Sequence, residues 1–203
     1  MTVRFRTFSL KISFSFFAVL CVMLLLREKQ TALVCFFSAM LHELGHLTFL
    51  RFFGARVSAL SFGAAGVVIE RADAFLLPAA QEALCALGGV FVNALLCLLS
   101  LLFHTFLPEK TVWTLFLSNA LLGALNLLPV YPLDLWRALH AVLEPRLSPE
   151  RLAFVLKSVS LSFLAAFAVF CAAFQRYIGR NVSLLAVFGY LLIMNLKRRT
   201  MDV

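Results

Sequence analysis

The sequence predicts an all-α polytopic membrane protein of about six transmembrane helices, with a small membrane-surface β-hairpin between the second and third spans. Three observations carry this expectation. Hydrophobic residues make up 63% of the 203 residues and charged residues 14%, where a soluble domain has about 45–50% and about 25%. The apolar residues gather into runs near 8–26, 31–53, 79–106, 111–129, 152–174 and 182–196, several of them matching the roughly 20 residues that cross a bilayer as a helix. Lys and Arg are unevenly shared between the two sides: with six spans, thirteen of the 18 fall on the side holding both termini and five on the other. That bias orients both termini toward the cytoplasm. The chain, 1–203, reads as one integral-membrane domain, because no segment between the runs is long enough to build its own core.

The first run contains FSFFAVLCVMLLL behind Arg4, Arg6 and Lys11. No small-x-small cleavage pattern separates it from REKQTA, so it is expected to be a retained span and not a signal peptide. The second run carries the pentapeptide HELGH, His42 to His46. After it comes ARVSALSFGAAGVVIERAD, whose β-branched residues around Gly63 and Gly66 predict the hairpin. The fourth run leads into Asn126, Pro129 and Pro132, where two prolines three apart break a helix. Beyond them, YPLDLWRALHAVLEPRLSPERLAFVL predicts a short helix, a turn at Pro145 and a new helix with Ser148 as cap and Pro149 first.

Some function classes carry little weight. The net charge of +8 is read as a topology signal and as contact with anionic lipid heads, not as a nucleic-acid surface. Cys21, Cys35, Cys85, Cys97 and Cys171 lie singly within the apolar runs; they form no CxxC pair and indicate neither a disulfide framework nor a zinc ribbon.

HELGH is where chemistry concentrates. On a helix, residues i and i+4 share a face, so His42 and His46 can offer two imidazole nitrogens to one metal ion while Glu43 lies one residue round. H-E-x-x-H on a helix is a zinc metalloprotease signature. Imidazoles bind zinc as neutral ligands, and a catalytic site keeps one position for water. Zinc would acidify that water and polarise the scissile carbonyl, and Glu43 would act as the base. With 4 His and 7 Glu in the chain, a random arrangement produces the pattern about three times in a thousand. Its depth is informative too: a span beginning near Thr31 puts His42 about 16 Å in, close to the midplane of a core about 30 Å thick.

Two histidines do not complete a site. Among the remaining histidines and acids, Asp134 stands out because it follows the Pro-broken stretch NLLPVYPLD, 126–134. Irregular backbone at membrane depth is tolerated only inside protein or along a wet cavity. His140, six residues on, is the competing donor.

HELGH together with NLLPVYPLD resembles the site-2 protease family of intramembrane metalloproteases, most of all its compact sporulation-factor branch, which releases a pro-sigma factor from the membrane. The likeness covers roughly residues 35–140. It implies one zinc per chain held by His42, His46 and Asp134, with Glu43 catalytic. It also implies substrate contacts by Asn126, Pro129, Pro132 and Asn93, and by Gly66 and Val67 of a hairpin that pairs with an unwound substrate. The partners implied are a membrane-tethered protein substrate, the bilayer and regulatory membrane proteins, in a bacterial cell membrane. The departures are specific. Leu135 and Trp136 stand where the family has Gly-Gly, Val90 replaces the proline of the third-span G-P-x-x-N pattern, and these 203 residues carry neither a CBS nor a PDZ domain. The alternatives are a metal carrier, for which few further polar residues line the spans, and an inactive relative that binds membrane partners.

Overall fold

A computed structural model of the chain describes residues 2–5, 8–13, 29–63, 66–71, 77–178 and 182–197. Its contacts divide into two units, residues 1–124 and 125–203, taken here in turn.

The first unit opens with strands β1, Thr2–Phe5, and β2, Phe8–Ile12. Helix α1 follows, Lys29–Phe52, then strands β3, Val57–Gly63, and β4, Gly66–Arg71, and helices α2, Ala79–Leu102, and α3, Glu109–Asn126. The expected hairpin is present as β3 and β4, antiparallel and in register from Gly63 opposite Gly66 out to Ala59 opposite Glu70, with an irregularity at Ser58. It belongs to a larger sheet than the sequence suggested. The strand order is β1-β2-β3-β4, β2 running parallel to β3 and antiparallel to β1. This corrects the start of the first predicted span: residues 8–12 are a strand, while 14–28 lie outside the described residues. Hydrophobicity alone does not separate the two outcomes, because apolar β-branched and aromatic residues suit a strand as well as a span.

Helix α1 stops where its sequence tells it to. Gly54 takes a positive φ of 80°, a conformation that costs a glycine nothing. The Ala55 N–H then donates to the Leu50 carbonyl at 2.9 Å and the Gly54 N–H to the Arg51 carbonyl at 3.0 Å, the paired bonds of a Schellman end. The reversal delivers the chain into β3. Leu50, Ala55, Leu77 and Cys85 are buried together, with Phe49, Phe53 and Ile69 packed on them, so the sheet is seated on the end of α1 and the start of α2.

Helices α1 and α2 approach closely through glycine. A methyl group at Gly45 would meet the Gly88 backbone and the Val92 side chain, and one at Gly88 would meet the Gly45 backbone. Small residues permit such contact between helices in lipid, where packing and hydrogen bonds replace the hydrophobic drive. Polar rungs hold α3 along α1: Gln30 Nε2 donates to Thr111 Oγ1 at 3.0 Å, Cys35 Sγ lies 3.3 Å from Ser118 Oγ, and Asn119 Nδ2 donates to Ser38 Oγ at 3.0 Å.

The second unit contains helix α4, Asp134–Leu143, a 3-10 turn at Glu144–Arg146, helix α5, Pro149–Ile178, and helix α6, Val182–Lys197. The short helix, the turn at Pro145 and the restart at Pro149 are as the sequence predicts. Two cores hold this unit together. Val130, Leu164 and Leu191 form one, and Trp136, Leu152 and Leu156 the other.

The protein is a helical membrane protein with a small sheet. Among the described residues three helices are long and apolar enough to cross a bilayer: Gln30–Phe52, Ala79–Leu102 and Pro149–Ala173. Of the other expected spans, α3 has 18 residues and begins with Glu109 and Lys110, and α6 has 16. Large apolar side chains on the outer faces of the spans, such as Phe37, Leu44, Phe91, Leu95, Phe154 and Phe170, suit a lipid solvent, which favours them there.

Candidate metal centre

His42 lies thirteen residues after the start of α1 and ten before its end, about 20 Å and 15 Å along the axis. Both imidazoles are buried: His42 is 5% exposed and His46 6%, and Glu43 is half-buried beside them. The rings stand nearly perpendicular, 84° apart, with their Nε2 atoms separated by 3.3 Å.

Hydrogen bonds behind the rings fix which nitrogen carries the proton. His46 Nδ1 is 2.9 Å from the Cys85 carbonyl oxygen, which can only accept, so Nδ1 must be the N–H. His42 Nδ1 is 3.1 Å from Asn93 Oδ1. The Asn93 amide cannot be turned the other way, because its Nδ2 donates to the Asn119 backbone carbonyl at 3.3 Å. His42 Nδ1 therefore donates as well. In neutral imidazole one nitrogen donates and the other carries the lone pair, so both rings present the Nε2 lone pair. Two such nitrogens bound to one tetrahedral zinc at about 2.0–2.1 Å stand about 3.3 Å apart. The observed separation is that of a ligand pair, and the donor set fits zinc.

Helix α2 is shaped for these rings. A methyl group at Gly89 would run into the His42 imidazole, meeting its Nε2 and Nδ1 at 2.5 and 2.6 Å, so this glycine is the space that the ring fills. Asn93, one turn on from Gly89, is 1% exposed and faces Gly123 of α3. Asn119, wholly buried, sends Nδ2 to Ser38 and to the Leu115 carbonyl at 2.8 Å. Its Oδ1 is buried with no hydrogen-bond partner among the described residues, a state costing about 1–3 kcal/mol.

In the second unit, Asp134 is the first residue of α4 and is 5% exposed. The stretch before it is broken as its prolines require: α3 ends at Asn126, Pro129 is buried, and the Tyr131–Pro132 peptide is cis. Helix breaking strips carbonyls of their partners, and two neighbouring helices supply replacements. Ser160 of α5 donates to the Pro129 carbonyl at 3.2 Å, and Asn195 of α6 donates to the Tyr131 carbonyl at 2.8 Å. Trp136, where the resembled family has glycine, is 7% exposed and sits in the core with Leu152 and Leu156, its ring edge-on to Tyr131 at 5.0 Å. The bulky residue is absorbed by packing. His140 stacks obliquely on Trp136 at 5.4 Å and lies 3.7 Å from Glu144.

The first unit thus gathers His42, Glu43, His46 and Asn93, and the second holds Asn126, Pro129, Pro132 and Asp134. Gly66 and Val67 lie on β4, at the edge of the sheet. Ser38, Asn119, Ser160 and Asn195 were not singled out in the sequence. Their signal was there: polar residues within apolar runs.

The backbone as a whole matches a solved protein, the site-2 protease from Methanocaldococcus jannaschii, with a TM-score of 0.68 over 100% of this chain and 97% of that one, at 19% identity. The chain has the site-2 protease fold. In sequence it is 25% identical, over 162 residues, to a zinc metalloprotease of the same organism, a match covering 77% of this chain and 47% of that protein. It spans about half the length of that curated relative. No protein-family profile matches the chain. His42, His46 and Asp134, the donors expected from the sequence, are each buried.

Proposed function

We propose that the chain is an intramembrane zinc endopeptidase that hydrolyses a peptide bond of a membrane-tethered protein within or near the bilayer. The observation that carries this is the pair of Nε2 lone pairs 3.3 Å apart, each with its Nδ1 proton committed to an oxygen behind it. A histidine pair serving only as packing has no need of both lone pairs on one point.

His42, His46 and, from the second unit, Asp134 would hold the metal, a His₂-carboxylate set of the kind found in zinc proteases. Bound there, zinc supplies Lewis acidity to the scissile carbonyl and to a water molecule. Glu43 takes the proton of the attacking water and returns it to the leaving amine. Burial of the histidines excludes bulk water. Metal analysis of the detergent-purified protein is expected to find about one zinc per chain, the capacity of one three-ligand site. No zinc after gentle purification, and none taken up on reconstitution, would count against the reading.

A transmembrane helix shields its peptide bonds, so a substrate must be opened before it is cut. The outer edge of β4 offers strand pairing to the opened segment, through the backbone of Gly66 and Val67, with Asn126, Pro129 and Pro132 holding it nearer the cut. Asn93 is assigned differently, by its burial. Single prolines at Val67, Val68 and Ile69 remove one donor each and should impair cleavage at one or more positions while sparing zinc. Unchanged cleavage by all three would remove the strand from the mechanism. The substrate class extends to a membrane-held transcription factor such as a pro-sigma factor. The proposed setting is a bacterial cell membrane with both termini cytoplasmic, where other membrane proteins regulate access. The match to a zinc metalloprotease supports the peptidase reading, and the Lys and Arg bias supports cytoplasmic termini.

A further inference from the structure

We propose that Asn93 is a positioning residue that sets the tautomer of His42 and so makes its Nε2 a metal ligand. The proposal rests on the zinc reading above and adds a residue that acts through a ligand and not on substrate.

The two histidines are oriented by unlike means. His46 is held by a backbone carbonyl, that of Cys85, which any residue at that position would supply. His42 depends on a side chain, Asn93 Oδ1 at 3.1 Å. Outer-shell acceptors of this kind fix ring orientation and raise ligand basicity. The acceptor end of the Asn93 amide is itself fixed, since Nδ2 is committed to the Asn119 carbonyl. That carbonyl is held in place because Asn119 ties α3 to α1 through Ser38, one turn before His42. Space for the ring is reserved by Gly89, where any side chain would run into the His42 imidazole. Every polar member is buried, Ser38 2%, Asn93 1% and Asn119 0% exposed, and Asn119 leaves Oδ1 unmatched to make these bonds. Polar side chains do join helices in lipid, but helix joining alone does not require the acceptor end to face a histidine N–H.

The test separates acceptor chemistry from helix joining. Leu at 93 keeps the volume and removes the acceptor; Asp keeps an acceptor and removes the donor to Asn119. Zinc affinity of the full-length, detergent-solubilised chain is measured by competition with a chelating indicator, alongside helical content. Asn93→Leu should weaken zinc binding by about 10–100-fold, and Asn93→Asp should stay within about tenfold of wild type. Zinc bound as tightly by a folded Asn93→Leu as by wild type overturns the proposal, and so does an equal loss in both variants. If Asn93→Leu fails to fold, the wild-type protein decides. Nitrogen NMR of ¹⁵N-histidine-labelled chain, stripped of metal above the imidazole titration, should show His42 protonated on Nδ1, its signals identified by their loss in His42→Gln. Protonation on Nε2 would overturn the proposal. Failure of wild type to bind zinc at all would instead remove the metalloprotease reading.

Discussion

Asp134→Ala is expected to lose both zinc and cleavage, and His140→Ala neither. The first change deletes a proposed ligand, so its effect on affinity should exceed the roughly 10–100-fold that follows loss of an outer-shell partner. Asp134 is fitted for the task by its place. It is buried at the start of α4, behind a loop whose orphaned carbonyls are bound by Ser160 and Asn195, and Trp136 locks the same turn into the core. His140 lies nearly two turns on, against Trp136 and beside the exposed Glu144. These contacts lie within its own helix and the turn that follows, so removing it should cost packing on Trp136 and not metal. Zinc content and cleavage measured on both variants decide the matter. Metal lost from His140→Ala and kept by Asp134→Ala would reverse the assignment.

Glu43→Gln should abolish cleavage while zinc remains. The amide is nearly isosteric with the carboxylate and leaves both histidines and their acceptors in place, but it cannot take up a proton from water. General-base catalysis contributes about 10²–10⁴-fold, and the rate should fall at least that far. A variant cutting at near wild-type rate would show that Glu43 is not the base.

Much of this site was legible in the sequence because its parts are local. HELGH fixes i and i+4 on one face, and the prolines around Asp134 announce broken backbone without any knowledge of neighbours. The pairing of β2 with β3 was not legible, since the partners lie almost fifty residues apart, Ser9 opposite Ala59, and residues 8–12 carry the same apolar signal as a span. Asn93 was visible as a polar residue in a greasy helix, but its direction was not. Whether an amide faces substrate or a histidine depends on how three helices meet, two of them brought close through Gly45 and Gly88. Likewise the fit of Trp136 could be judged only once Leu152 and Leu156 of α5 were seen to enclose it.

If the paired imidazoles of α1 are the centre of a metal-dependent peptidase, activity must follow the metal. The most direct test is cleavage of a membrane-tethered reporter by the purified chain in liposomes, assayed as prepared, after chelation, and after zinc is restored. Cleavage is expected to disappear with the metal and to return with zinc. Cleavage undiminished by complete removal of the metal would contradict it.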